Sequence, residues 1–394
     1  MRQRFRLAGV LAFSSLALVS ASGEALAIAA FSREYNTECS TCHNPYPHRN
    51  EFGEAFRLNG YVWPGRKPNE VPAGAEALWA AGLPRTLPVS VTLQAQLAYD
   101  PEVEDDHLDP STDAFLHVGG VIRDQIGFFA HDLLGSGSGE MFGILRRALG
   151  TPVNVKYGKF TPQTTLGKES QSYTLTVPAP LAFTVPGGSG PLAAPRNALE
   201  VNAVLGSRLL VAAGAADRNQ QDAMDYYGHI SWKIGGTDLE GREPDLDLDR
   251  ESVWDFLTLT LGAYGYLGRI EQPNDTRYRR VGVEGQAQYR WFTALVSTAF
   301  AHDQNVDAAG LDVDSVVLAA ELDWFLAPRY LLSARFENED VGNAAQGITK
   351  RVIGGVAWYP IENTSVRLEG RWVRTQAEED PSGVTGVLQI QLHL

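Results

Sequence analysis

The chain has 394 residues, 33 basic and 47 acidic side chains, a formal net charge of −14 and only two cysteines. Such an acid excess argues against a nucleic-acid partner. Beyond the N-terminus no stretch approaches the roughly 18 consecutive apolar residues of a membrane helix, which excludes a helical membrane protein but leaves open a barrel, whose strands alternate and so keep ordinary bulk hydropathy.

Residues 1–29 place Arg2, Arg4 and Arg6 ahead of an apolar run from Leu7 to Ala21, with small residues at Ala25, Ala27 and Ala29. This pattern reads as a secretory signal peptide cleaved after Ala27 or Ala29 and is set aside from the fold. The next unit, 30–62, holds both cysteines in the run TECSTCHNPYPH at 37–48. Cys39, Cys42 and His43 form Cys-x-x-Cys-His, the attachment signature of c-type haem, in which two thiols make thioethers and the adjacent imidazole is an axial iron ligand. Export agrees with this, because c-type haem is attached outside the cytoplasm. The competing readings are a structural disulfide, a redox dithiol and half a zinc site. A dithiol would open a helix in a βαβ pattern that is absent here, and zinc would need a second ligand pair, for which only His48 is near.

A unit of some thirty residues cannot build much core alone, and one covalently bound haem c would supply the missing apolar surface. Phe52 and Phe56 stand four apart on an expected short helix that Asn59-Gly60 would cap, with Tyr61 following, so both phenylalanines could lie against the porphyrin. The plainer alternative packs them on the linker. That linker, 63–87, contains Pro64, Pro68, Pro72, Pro84, Gly65, Gly74 and Gly82 and leaves room for one helical turn around Ala75–Ala80.

Residues 88–394 are expected to form about sixteen antiparallel strands, at 89–99, 114–122, 125–134, 141–148, 151–160, 197–205, 208–216, 225–234, 255–269, 277–289, 291–302, 314–326, 329–339, 348–359, 363–376 and 384–394. Alternation is the basis. Leu257, Leu259, Leu261 and Leu267 oppose Thr258, Thr260, Tyr264 and Tyr266, and Tyr330, Leu332 and Phe336 oppose Ser333, Arg335 and Glu337. A soluble sandwich alternates too. Long strands, short turns such as Gly206-Ser207 and Ala327-Pro328 set against longer acidic connections, and Tyr330, Trp358, Tyr359 and Trp372 near strand ends favour an outer-membrane barrel. The stretch 141–148 is the weakest strand and reads equally as a helix in the lumen; an even strand count needs it, or another strand within 165–196.

The acidic loop 101–113 is expected outside, either as an ordinary solvated loop or as a path that gathers iron(II). The same count puts 235–254 on the periplasmic side, long for a turn there, as a docking surface or a sign of a miscounted strand.

The run FSREYNTECSTCHNPYPHRNEFGEAFRLNGY resembles the N-terminal signature of the fused monohaem cytochrome c–porins of bacterial outer membranes, the outer-membrane iron(II) oxidase family. The matching positions are Phe31, Arg33, Cys39, Cys42, His43, Pro47, Phe52, Gly53, Phe56, Asn59, Gly60 and Tyr61. The resemblance implies a mainly β protein: a porin-like transmembrane barrel of about sixteen strands with a small α-helical cytochrome c domain. It also implies an iron(II):cytochrome oxidoreductase that passes electrons from extracellular Fe(II), or another reductant, through one haem c to a periplasmic cytochrome or other acceptor. The rival reading is a solute-conducting porin with a haem-containing plug or sensor.

His43 would be the axial ligand on one side of the haem iron. No methionine occurs between Ala30 and Glu140, so the other side falls to His48, or to one of His107, His117 and His131 if the unit sits inside the lumen. A His or vacant position implies a lower potential than His/Met ligation.

Overall fold

The structure, a computed structural model, describes residues 30–394 except 36, 45–47, 65–87, 102–106, 123–124, 135–138, 167–171, 218–222, 243–256, 272, 343–346 and 377–381. The signal peptide, nearly all of the linker and parts of both acidic loops therefore lie outside the described residues. The strands are β1 (Val89–Tyr99), β2 (Leu108–Ile122), β3 (Ile126–Leu133), β4 (Glu140–Leu145), β5 (Val153–Phe160), β6 (Arg196–Leu205), β7 (Leu209–Asp217) and β8 (Met224–Ile234). They continue with β9 (Leu257–Ile270), β10 (Thr276–Tyr289), β11 (Phe292–Gln304), β12 (Val313–Ala327), β13 (Tyr330–Val341), β14 (Ile348–Ile361), β15 (Thr364–Thr375) and β16 (Ser382–His393).

Each strand pairs with its sequence neighbours, and β1 pairs with β16 from Thr92↔His393 to Tyr99↔Gly386, which closes a sixteen-stranded antiparallel barrel. Closure leaves no edge with unpaired backbone groups, the condition for a sheet to exist in lipid. The alternation sorts the side chains as read. Leu261, Val283, Val296, Leu322, Val356 and Leu368 are half-exposed on the outer wall, whereas Thr260, Tyr264, Glu284, Glu321 and Arg335 are buried in the interior. Trp232, Trp291, Trp324, Tyr330 and Trp358 mark the outer wall near the short-turn end, as interfacial aromatics do. An outer apolar face on a single-chain barrel of even strand number places the protein in the bacterial outer membrane.

The structure alters three expectations and decides a fourth. Residues 141–148 supply β4 up to Leu145 and then turn into the short 3-10 segment Ala148–Gly150. Half of the loop expected at 101–113 is strand, because Leu108–Asp113 extends β2 along β1, with Asp113 opposite Gln94. Tyr359 does not join the outer aromatics; it is 3% exposed and packs inward with Tyr173, Leu331 and Ala357. The stretch 235–254, where described, leaves β8 at the end where the short turns lie, so the strand count stands; its first residues grip the N-terminal unit through Thr237 N–H to Glu51 Oε2 at 2.9 Å.

Two pieces occupy the lumen. The described residues of the connection between β5 and β6 lie in it, and their backbone N–H groups repeatedly donate to wall carboxylates. Gln163 bonds Glu200 at 3.0 Å, Leu166 bonds Glu284 at 2.8 Å, Tyr173 bonds Glu321 at 2.7 Å, Ala179 bonds Glu337 at 2.8 Å and Ser189 bonds Asp303 at 2.6 Å. An irregular segment buried in a barrel must satisfy its backbone somehow, and the charged inner faces of the strands do so here. The second piece is the N-terminal unit. It contacts the wall near the short-turn end through Asn154 Nδ2 to the Leu58 carbonyl (3.2 Å), Arg146 to Asn59 Oδ1 (2.7 Å) and Lys233 to Glu51 (3.4 Å), and it meets the inserted segment through Tyr173 Oη to the Asn44 carbonyl (2.9 Å).

Candidate functional site

Local sequence builds a tight hairpin around the cysteines. Cys39–Thr41 makes a single 3-10 turn, and the amides of Cys42 and His43 both donate to the Cys39 carbonyl, at 3.1 and 3.0 Å. His43 then bridges Arg49 in antiparallel fashion, which returns the chain so that Asn50 N–H reaches the Cys42 carbonyl at 3.0 Å. Asn50 starts the helix Glu51–Leu58: its Oδ1 accepts from Gly53 N–H at 2.8 Å, as an N-cap should, while its Nδ2 donates to the Thr41 carbonyl at 3.0 Å. Gly53 lies directly over the Cys42 carbonyl, where a Cβ would come within 2.0 Å of the oxygen. Gly53→Val should therefore lift the helix from the cysteine turn at a cost of about 1–3 kcal/mol. The expected result is protease sensitivity confined to the N-terminal unit while the barrel keeps its heat-modifiable gel migration; a protected unit would show that the helix does not need this contact.

Aromatic side chains cover the turn. Phe31, from the helix Ala30–Tyr35, stacks on Tyr61 with centroids 4.9 Å apart and meets Phe56 edge-on at 5.3 Å; Tyr61 in turn stacks on Phe129 of β3 at 5.7 Å. The wall allows this approach because Gly127 faces the Gly60 carbonyl, where a Cβ would sit 2.1 Å from the oxygen. Tyr35 Oη fixes the Tyr61 carbonyl at 2.8 Å.

Beside these rings Glu54 lies between Arg49 (2.9 Å) and Arg57. Burial alone would raise its carboxyl, but the two guanidinium groups outweigh burial and hold it well below the usual carboxylate range. Burial raises the Cys39 thiol, and it pushes the Cys42 thiol up to about 11, with its neighbour Cys39 adding to the effect. Both sulfurs are thus protonated at neutral pH, unlike the depressed thiols of redox dithiols.

These groups enclose a cavity of about 500 Å³, within the range of small-molecule sites. Cys39, Cys42, His43, Phe56 and Tyr61 bound it on one side, and the barrel wall adds His117, His131 and His393. Five of the sequence-derived site residues therefore meet in one place. Phe52 does not join them; it turns onto Trp63 (4.9 Å) and lines a second hollow of about 1,000 Å³, bordered by the turn residues Trp291, Pro328 and Arg329. Cys39 and His43 also border this hollow. His48 is 2% exposed and packs on Tyr173 with rings 4.1 Å apart, away from the first cavity. Sequence reasoning gave no cavity role to Tyr35 or His393. The i, i+4 spacing of Phe31 and Tyr35 ahead of the cysteines was a usable signal; His393 read only as one polar residue of the last strand.

No protein-family model matches the chain, and no curated protein sequence matches it. Solved structures do resemble the barrel. The anion-selective porin from Comamonas acidovorans superposes with a TM-score of 0.57 at 11% identity, over 78% of this chain and 100% of its own. OprB of Pseudomonas putida gives 0.56 at 10% identity, over 78% of this chain and 94% of its own. The outer membrane channel DcaP of Acinetobacter baumannii gives 0.55 at 10% identity, over 80% of this chain and 99% of its own. At such identities the likeness is one of fold, and this chain is a porin-like sixteen-stranded barrel whose N-terminal unit lies in the lumen.

Proposed function

We propose that the protein is an outer-membrane electron conduit that takes electrons from an extracellular donor, Fe(II) or another reductant, and delivers them to a periplasmic cytochrome or other acceptor. The observation that carries the reading is the meeting of Cys39, Cys42 and His43 with aromatic rings and wall imidazoles around one cavity in the lumen. The residues present fit a c-type haem: two protonated thiols three positions apart for thioether attachment, His43 beside them for iron, and Phe31, Phe56 and Tyr61 as apolar walls. When bound, the haem supplies reversible one-electron chemistry. The chain holds the attachment turn through the Asn50 cap and the Gly53 contact, and Tyr173 Oη of the lumen segment donates to the Asn44 carbonyl beside it. The second hollow reaches Cys39 and His43 from the short-turn end, where a periplasmic acceptor would dock. One electron would leave each Fe(II), the Fe(III) would stay outside, and only the electron would move inward.

A second reading, the solute-conducting porin with a haem-containing plug, is favoured by the likeness to an anion-selective porin and an outer membrane channel. Anaerobic Fe(II) added to the purified protein separates the two. The conduit reading expects the haem absorbance to shift to its reduced form, with low ionic conductance in planar bilayers. High conductance without reduction would establish the second.

A further inference from the structure

The geometry points to His393 as the second axial ligand of the haem. The inference rests on the haem reading above and adds to it a ligand from the other end of the chain. His393 is the last residue of β16, 3% exposed and turned into the lumen, and it borders the same cavity as Cys39, Cys42 and His43. His43 and His393 therefore face the same space from opposite ends of the sequence. Its Nδ1 lies 2.6 Å from Thr92 Oγ1 on β1. Ligating imidazoles are regularly held in this way, with one ring nitrogen tied to a second group so that the ring orientation is set before the metal arrives.

The other imidazoles differ in their surroundings. His48 belongs to the same short hairpin as His43. The His43–Arg49 bridge and the Asn44 N–H bond to the His48 carbonyl at 2.8 Å fold that hairpin back on itself, and the ring is directed onto Tyr173. His48 is thus not among the residues that line the cavity bordered by His43. His117 uses its Nε2 on the same Thr92 hydroxyl at 2.9 Å and stacks on His131 at 5.2 Å. A hydroxyl has one proton, so Thr92 donates to one of the two rings and accepts from the other. His117 and His131 then continue the cavity wall one and two strands beyond β1, with His117 supporting the orientation of His393.

The test uses the full-length holoprotein and reads spin state by absorption and electron paramagnetic resonance. Wild type should be low-spin. His393→Ala should become high-spin and bind carbon monoxide, and added imidazole should restore the low-spin spectrum, while haem staining and heat-modifiable migration stay as in wild type. His393→Met should give low-spin haem with a near-infrared sulfur–iron band and a higher potential, a change that a purely structural histidine would not produce. A His393→Ala protein that stays low-spin and refuses carbon monoxide would overturn the assignment, as would conversion by His48→Ala or His117→Ala with His393→Ala silent. A wild-type protein that is high-spin would overturn this inference and leave the haem reading intact. A wild-type protein with no covalent haem would overturn both.

Discussion

Cys42→Ala is expected to abolish peroxidase staining of the protein on a denaturing gel. Thioether attachment adds each S–H across a haem vinyl group, so both atoms of the thiol end in the product and no oxidant is required. Cys39 and Cys42 are suited to this: the turn places both at one cavity, and burial keeps both protonated. Removing Cys42 deletes one covalent link and destroys the Cys-x-x-Cys-His spacing. The barrel, whose strands include neither cysteine, should retain heat-modifiable migration. Staining of undiminished strength in the mutant would refute covalent attachment at this motif.

Arg335→Leu should loosen the segment that lies in the lumen and raise ionic conductance several-fold. Arg335 is buried, with Glu321 at 3.3 Å and Glu337 at 3.0 Å, and it donates to the Thr176 hydroxyl at 2.6 Å and carbonyl at 2.8 Å. Leucine would remove the cation that Glu321 and Glu337 share, leaving Glu337 with Arg351 at 3.7 Å, at a cost of about 3–5 kcal/mol. Tyr173 and Ala179, whose amides rest on those carboxylates, would lose their anchorage with them. The wall should hold, since Leu331↔Ala357 and the rest of the β13–β14 register are backbone contacts. Planar-bilayer recording together with limited proteolysis of 161–195 checks this. Wild-type conductance with a protected segment would mean that the remaining carboxylate anchors suffice.

The barrel was legible because lipid imposes the same rule on every strand: odd and even positions see different solvents, so Leu257 to Leu267 or Tyr330 to Glu337 declare their faces without any partner. All sixteen expected strands are present, and their ends move by a few residues, most at Leu108, where acidic residues continue a strand beyond the apolar zone. The clustering of Cys39, Cys42 and His43 was legible because the three residues are local. The content of the lumen was not. Glu321, Glu337 and Glu369 look in sequence like ordinary polar-face residues, and nothing local tells that their acceptors serve amides about 150–200 positions earlier. Phe52 and Phe56 share a spacing that suggested a shared face, yet Trp63 draws Phe52 off to the other hollow. His393 escaped notice for the same reason: its neighbours Thr92 and His117 are brought to it only by ring closure.

That closure also fixes an order of events in biogenesis. The N-terminal unit leaves the ribosome first, and the strand that completes its enclosure, β16, leaves last; the pairing Thr92↔His393 joins residues 301 positions apart and is the kind of contact that forms late. Once it has formed, Cys39 is 6% exposed inside the barrel, at the border of the two lumen hollows. If the cysteine turn carries haem as proposed, an attachment enzyme would reach it most readily on the exported chain while the sheet is still open, and the insertion machinery of the outer membrane would then receive a polypeptide already loaded.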